Sequence, residues 1–80
     1  MSYNWTHDGV ARAVEDAMRD YPDLLERFDV ADARDTRDYS WHVELDPLGN
    51  RRIARLTWEM VEYGRLDAIA EQLREAAPDW

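Results

Sequence analysis

YSWHVELDPLGNRRIARLTWEMVEY, residues 39–63, is the stretch whose reading decides the fold. Tyr39, Trp41, Val43 and Leu45 share one parity, and Ser40, His42 and Glu44 take the other. That two-residue period marks a strand with one face in the core. Asp46-Pro47-Leu48-Gly49-Asn50 then reads as a reversal. Asp opens the turn, Pro suits the next position, and Gly accepts a positive φ. Ala54, Leu56, Trp58 and Met60 alternate with Arg55, Thr57 and Glu59, which predicts a second strand running on toward Tyr63. The product is a hairpin with Trp41 and Trp58 packed in the core on facing strands. Two strands alone are marginal in water, so helices must cover their apolar side.

Outward from the hairpin, the chain supplies those helices. Residues 1–7 read as an extended arm that packs one aromatic, Tyr3 or Trp5, or as a frayed end. Thr6 or Asp8 can cap a first helix by accepting from the unpaired amides of its first turn. Val10, Val14, Ala17, Met18 and Tyr21 recur at helical spacing and mark its buried side. Pro22 ends that helix and can open a second, over residues 22–29, with Leu24, Leu25 and Phe28 on one stripe. Residues 30–38 are polar, without an apolar face, and read as a loop, the alternative being an exposed helical extension. After the hairpin, Gly64 permits a bend into a last helix over residues 65–76, whose stripe is Leu66, Ile69, Ala70, Leu73 and Ala77. Asp67 suits the positive end of its dipole, and Pro78 stops it. The predicted architecture is α+β, of order ααββα, with a two-stranded antiparallel hairpin packed against three helices in a single small domain spanning residues 1–80.

Eighty residues can bury one small core. With no cysteine, neither disulfides nor thiolate metal sites are available. No apolar run reaches the roughly 20 residues of a membrane span, and the N-terminus lacks the regions of a signal peptide. A cytoplasmic protein without membrane contact is the expectation. Eighteen acidic residues stand against ten basic ones, all arginine, for a net charge of −8. Such a surface repels DNA, RNA and anionic lipid and attracts a basic protein surface.

Catalytic and metal chemistry find little support in the residues. His42 and Glu44 share a strand face, but a zinc site normally needs three protein ligands and no third is assignable. Ser2, Thr6, Thr36, Ser40 and Thr57 stand in no nucleophile context, and paired carboxylates without an enclosed pocket do not make an acid–base pair. The chain reads as a non-enzyme without metal or cofactor. Arg51, Arg52 and Arg55 read as a solvated hairpin end pairing with local acids; the competing reading is a phosphate-binding group. A two-stranded sheet also leaves two unpaired edges, which a homodimer joining sheets edge to edge would cover.

One charge pattern stands out. Asp20, Asp23, Glu26, Asp29, Asp32, Asp35 and Asp38 are seven acids at intervals of three. On a continuous helix each step advances about 4.5 Å and turns the face back by about 60°, winding the row around the axis. Pro22 and the following loop interrupt any such helix and allow an irregular row along one edge. Phosphates on one DNA strand rise by about 3.4 Å per nucleotide, so a carboxylate row of similar spacing suits a groove built for phosphates. Two readings of the series stay open: a partner-binding surface, or a solvated face neutralised by Arg27, Arg34 and Arg37.

In size, in charge, in the acidic series from Asp20 to Asp38 and in its ααββα outline, the chain resembles the small acidic inhibitors encoded by phages, anti-CRISPR proteins among them. The resemblance implies binding to a basic nucleic-acid-binding surface of a CRISPR effector complex, in place of target DNA. The competing expectation is an acidic interaction or dimerisation module of a salt-adapted organism, with its charge set by the environment.

Overall fold

The computed structural model describes residues 2–49 and 51–80. Met1 of the arm and Asn50 of the expected turn therefore lie outside the described residues. β2 (Ser40–Leu45) and β3 (Arg52–Thr57) form the expected hairpin, with Ser40 opposite Thr57 and Leu45 opposite Arg52. Trp41, Val43 and Leu45 lie with Ala54 and Leu56 on the buried side, as the alternation requires. Tyr39, of the same parity, falls outside the strand and is exposed. The turn departs from expectation in its details. Gly49 N–H donates to the Asp46 carbonyl at 2.9 Å, and the positive φ (52°) falls on Asp46, not on Gly49. A short polar side chain tolerates that conformation better than most.

The sheet has a third strand. β1 (Phe28–Val30) pairs antiparallel with β2, Phe28 opposite Leu45 and Val30 opposite Val43, giving the order β1-β2-β3. The helix expected over residues 22–29 is thus cut to the single turn α2 (Pro22–Leu25). Leu24, Leu25 and Phe28 satisfy a helical stripe, while Phe28 and Val30 satisfy a strand, so local pattern leaves a tie. The backbone of β2 breaks it. The Asp46 N–H donates to the Arg27 carbonyl at 2.8 Å, and the Ala31 N–H to that of His42 at 3.0 Å. These bonds satisfy the His42 carbonyl of β2 and the Asp46 N–H just past it, groups that a two-stranded hairpin would leave open.

The second strand also stops early. Thr57 accepts a hydrogen bond from the Met60 amide and caps α3 (Trp58–Glu62), so the chain turns helical where the alternation predicted more strand. Trp58 and Val61 are three apart, and a helix uses that spacing as readily as a strand uses Trp58 and Met60. Val61 is buried and Trp58 is 39% exposed, which overturns the expected core position of Trp58. Gly64, at φ 63°, closes α3. Its N–H donates to Val61 and that of Arg65 to Met60, the paired bonds of a left-handed glycine cap. The observed order is ααβββαα among the described residues, not ααββα.

α1 (His7–Ala17) and α4 (Leu66–Ala76) cover the inner face of the sheet. Val10, Ala13, Val14 and Met18 meet Ile69, Leu73 and Ala77 in one buried cluster. Each large aliphatic side chain removed from water there contributes about 1.5–3 kcal/mol. Thr6 caps α1, accepting from the Gly9 N–H at 3.1 Å. The N-terminal arm packs more firmly than its sequence suggests. Tyr3 is buried and donates its hydroxyl to the Asp16 carboxylate, a bond that raises its pKa. A methyl group on Gly9 would fall 2.0 Å from the Asn4 carbonyl oxygen, so the arm passes α1 only over a glycine.

Candidate protein-docking surface

The acidic series is carried by one continuous run of chain, from the end of α1 through β1 to the start of β2. Asp20 follows α1, Asp23 lies in α2, Glu26 ends it and Asp29 stands at the centre of β1. Asp32, Asp35 and Asp38 belong to the excursion 31–39 that joins β1 to β2. That excursion is folded, since Asp35 bridges to Ser40 through an N–H donated at 2.8 Å. Asp20, Asp23, Glu26, Asp29, Asp32 and Asp38 are exposed and Asp35 half-buried.

Only Asp38 of the seven is in an ion pair among the described residues, 2.9 Å from Arg55. It also accepts from Ser40, the main reason its carboxyl is held below the ordinary range. Asp35 accepts from the Arg37 amide. Asp29 lies opposite Glu44 in the register, like charge facing like, and Glu44 is taken by Arg51. Of the three arginines that could neutralise the row, Arg27, Arg34 and Arg37, the first turns elsewhere. Arg27 donates to Asp46 at 3.0 and 2.6 Å and to Asp79 at 3.2 Å, none of them members of the series.

The arginine group of the hairpin is likewise engaged. Arg51 pairs with Glu44, Arg52 with Asp79 and Arg55 with Asp38. This is the pairing with local acids that the sequence suggested, with one partner contributed from near the C-terminus. His42 and Glu44 do lie on one strand face, yet no group of three potential ligands gathers to hold a metal among the described residues.

A second feature went unread in the sequence. Trp5, Tyr39 and Trp58 line an open groove of about 570 Å³, together with Arg34, Asp38, Thr57 and Glu59. Trp5 stands edge-on to Trp41, ring centroids 5.4 Å apart, and Trp58 likewise to Tyr63 at 5.7 Å. Tyr39 is 62% exposed and sits at φ 52°, a conformation that bulky residues seldom adopt. The two strand assignments, of Tyr39 before β2 and of Trp58 beyond Thr57, hid the groove. Thr57 followed by Glu59 was the available signal, a helix cap with an acid in its first turn.

Among the described residues, no helix is long and apolar enough to cross a membrane. No protein-family model, curated protein or solved structure matches the chain.

Proposed function

We propose that the protein is a non-catalytic inhibitor whose acidic side docks on a basic, nucleic-acid-binding surface of another protein, in the manner of an anti-CRISPR protein acting on a CRISPR effector complex. The observation that carries the reading is the state of the acidic series. Six of its seven carboxylates have no ion-pair partner among the described residues, while Arg27 is held by Asp46 and Asp79. A solvated face neutralised from within would pair its carboxylates with Arg27, Arg34 and Arg37, and none of these three forms an ion pair with the series among the described residues. The choice of a CRISPR effector rests on the resemblance in size and acidity alone. Carboxylates would meet the lysines and arginines that otherwise hold phosphates, so affinity falls with salt, and apolar contacts supply the part that salt does not screen.

The test is reversal of Asp23, Asp29 and Asp32 to Lys, three exposed positions without a partner among the described residues. Binding to a fluorescent polyarginine peptide is measured across a salt series, and displacement of DNA from purified effector complexes by gel shift. The reversal is expected to weaken peptide binding more than about tenfold at low salt and to flatten the salt dependence. Equal binding by wild type and variant removes the acidic series from the mechanism. Full DNA binding by every effector at saturating inhibitor removes the CRISPR assignment.

A second reading, a dimerisation module of a salt-adapted organism, draws on the sheet. β1 and β3 each border an open edge, and Ile53 on β3 is 52% exposed. A monomer by analytical ultracentrifugation in both dilute and molar salt rules it out.

A further inference from the structure

We propose that the groove between Trp5, Tyr39 and Trp58 receives a single arginine side chain of the basic partner. The inference rests on the basic-partner reading and adds to it a defined anchor point.

Three aromatic side chains border the groove, and the faces of aromatic rings attract cations through their quadrupoles. The net charge of the chain, −8, favours the same sign of ligand. Asp38 and Glu59 line the groove with the single Arg34. Asp38 is shared with Arg55, but Glu59 has no ion-pair partner among the described residues. A nucleotide or another anionic group would bring negative phosphate or carboxylate against these acids. A purely apolar peptide would strip water from Glu59 with nothing in return. A guanidinium does neither. It is planar, stacks on indole and phenol rings, and carries donors enough to reach a carboxylate while stacked.

The conformation of Tyr39 points the same way. Holding a non-glycine residue at φ 52° costs roughly 1–2 kcal/mol. The ring so placed is largely exposed, so the core recovers nothing from it. Strain of this kind persists where a side chain must be presented. The excursion 31–39, which carries Asp32, Asp35 and Asp38, also supplies Arg34, Asp38 and Tyr39 to the groove. The acidic series therefore ends at the aromatic seat, and one partner surface can engage both.

The probe is Nα-acetyl-arginine amide, with Nα-acetyl-citrulline amide as its uncharged isostere. The four tryptophan indole N–H signals of the intact chain are followed by heteronuclear NMR. Arginine is expected to move the Trp58 and Trp5 signals and leave that of Trp80, and citrulline at equal concentration to move none. Tyr39→Gly is expected to weaken the response about three- to tenfold. Because glycine accepts the backbone angle at position 39 more readily than tyrosine, that loss is not one of folding. Glu59→Gln, a conservative surface change, should weaken it as well. An equal response to citrulline, or an unchanged response in both variants, overturns the proposal. The Asp23, Asp29 and Asp32 reversal separates the two readings. Retained groove shifts with lost polyarginine binding support both. A silent groove with polyarginine binding that depends on the acidic series sinks the arginine seat alone.

Discussion

Where β2 runs into the turn, Arg27 bridges Asp46 and Asp79, and Arg52 reaches Asp79 from β3. The segment before β1, the turn and the C-terminal residues are tied there by alternating charge. Where β2 begins, the excursion 31–39 instead carries Asp32, Asp35 and Asp38 and leads into a groove lined by three exposed or half-buried aromatics, and among the described residues only Asp38 of the three forms an ion pair. Both ends draw on the same acidic, arginine-containing composition. The difference lies in placement: charge at the turn end is paired across three segments, and six of the seven acids of the series form no ion pair among the described residues. Composition alone cannot separate these uses; only the pairing can.

Three substitutions bear on that contrast. Arg27→Met keeps the side chain's stem and removes the guanidinium, leaving Asp46 and Asp79 without their shared donor. It is expected to lower the melting temperature by several degrees, followed by circular dichroism, without weakening polyarginine binding. A variant that melts with the wild type would show the turn end to be as uncommitted as the β1 side.

Asp46→Asn is expected to have a smaller effect, and one that depends on pH. The hydrogen bond from Arg27 holds the Asp46 carboxyl below its ordinary value of 3.8. A carboxylate depressed in the folded state contributes its stability above the unfolded value and loses it as pH falls through the folded value. The gap in melting temperature between wild type and Asp46→Asn should therefore be full at neutral pH and narrow below 3.8. A gap that is constant with pH would assign the loss to turn geometry and not to charge.

Tyr39→Gly should move stability least. Relief of the left-handed conformation is worth roughly 1–2 kcal/mol, and the added freedom of glycine in the unfolded chain takes back about 0.5–1 kcal/mol. Chemical denaturation should show a change between none and a gain of about 1.5 kcal/mol. A marked loss would mean that Tyr39 supports the fold and is not merely displayed by it.

The parts of the fold that were legible in the sequence are those with one dominant period. The alternation Trp41-Val43-Leu45 and the stripe Leu66-Ile69-Leu73 each lead to the observed element and the observed buried face. The parts that were not legible share a cause. Phe28 and Val30, and Trp58 with its neighbours, fit a strand and a helix equally well over a few residues. The decision came from elsewhere: from the open backbone of β2 in the first case, and from the hydroxyl of Thr57 in the second. The acidic series was visible as a spacing, but that six of its seven acids form no ion pair among the described residues was not. That depended on Arg27 finding Asp46 and Asp79, residues far along the chain.

The edge-on contact of Trp5 with Trp41 has a practical consequence. Two indoles at 5.4 Å couple their electronic transitions, so the pair constitutes an intrinsic optical gauge. Trp41 is fixed in the sheet and Trp5 arrives on the arm that crosses Gly9. The exciton signature in the ultraviolet thus reports whether that arm is seated, and needs no added dye.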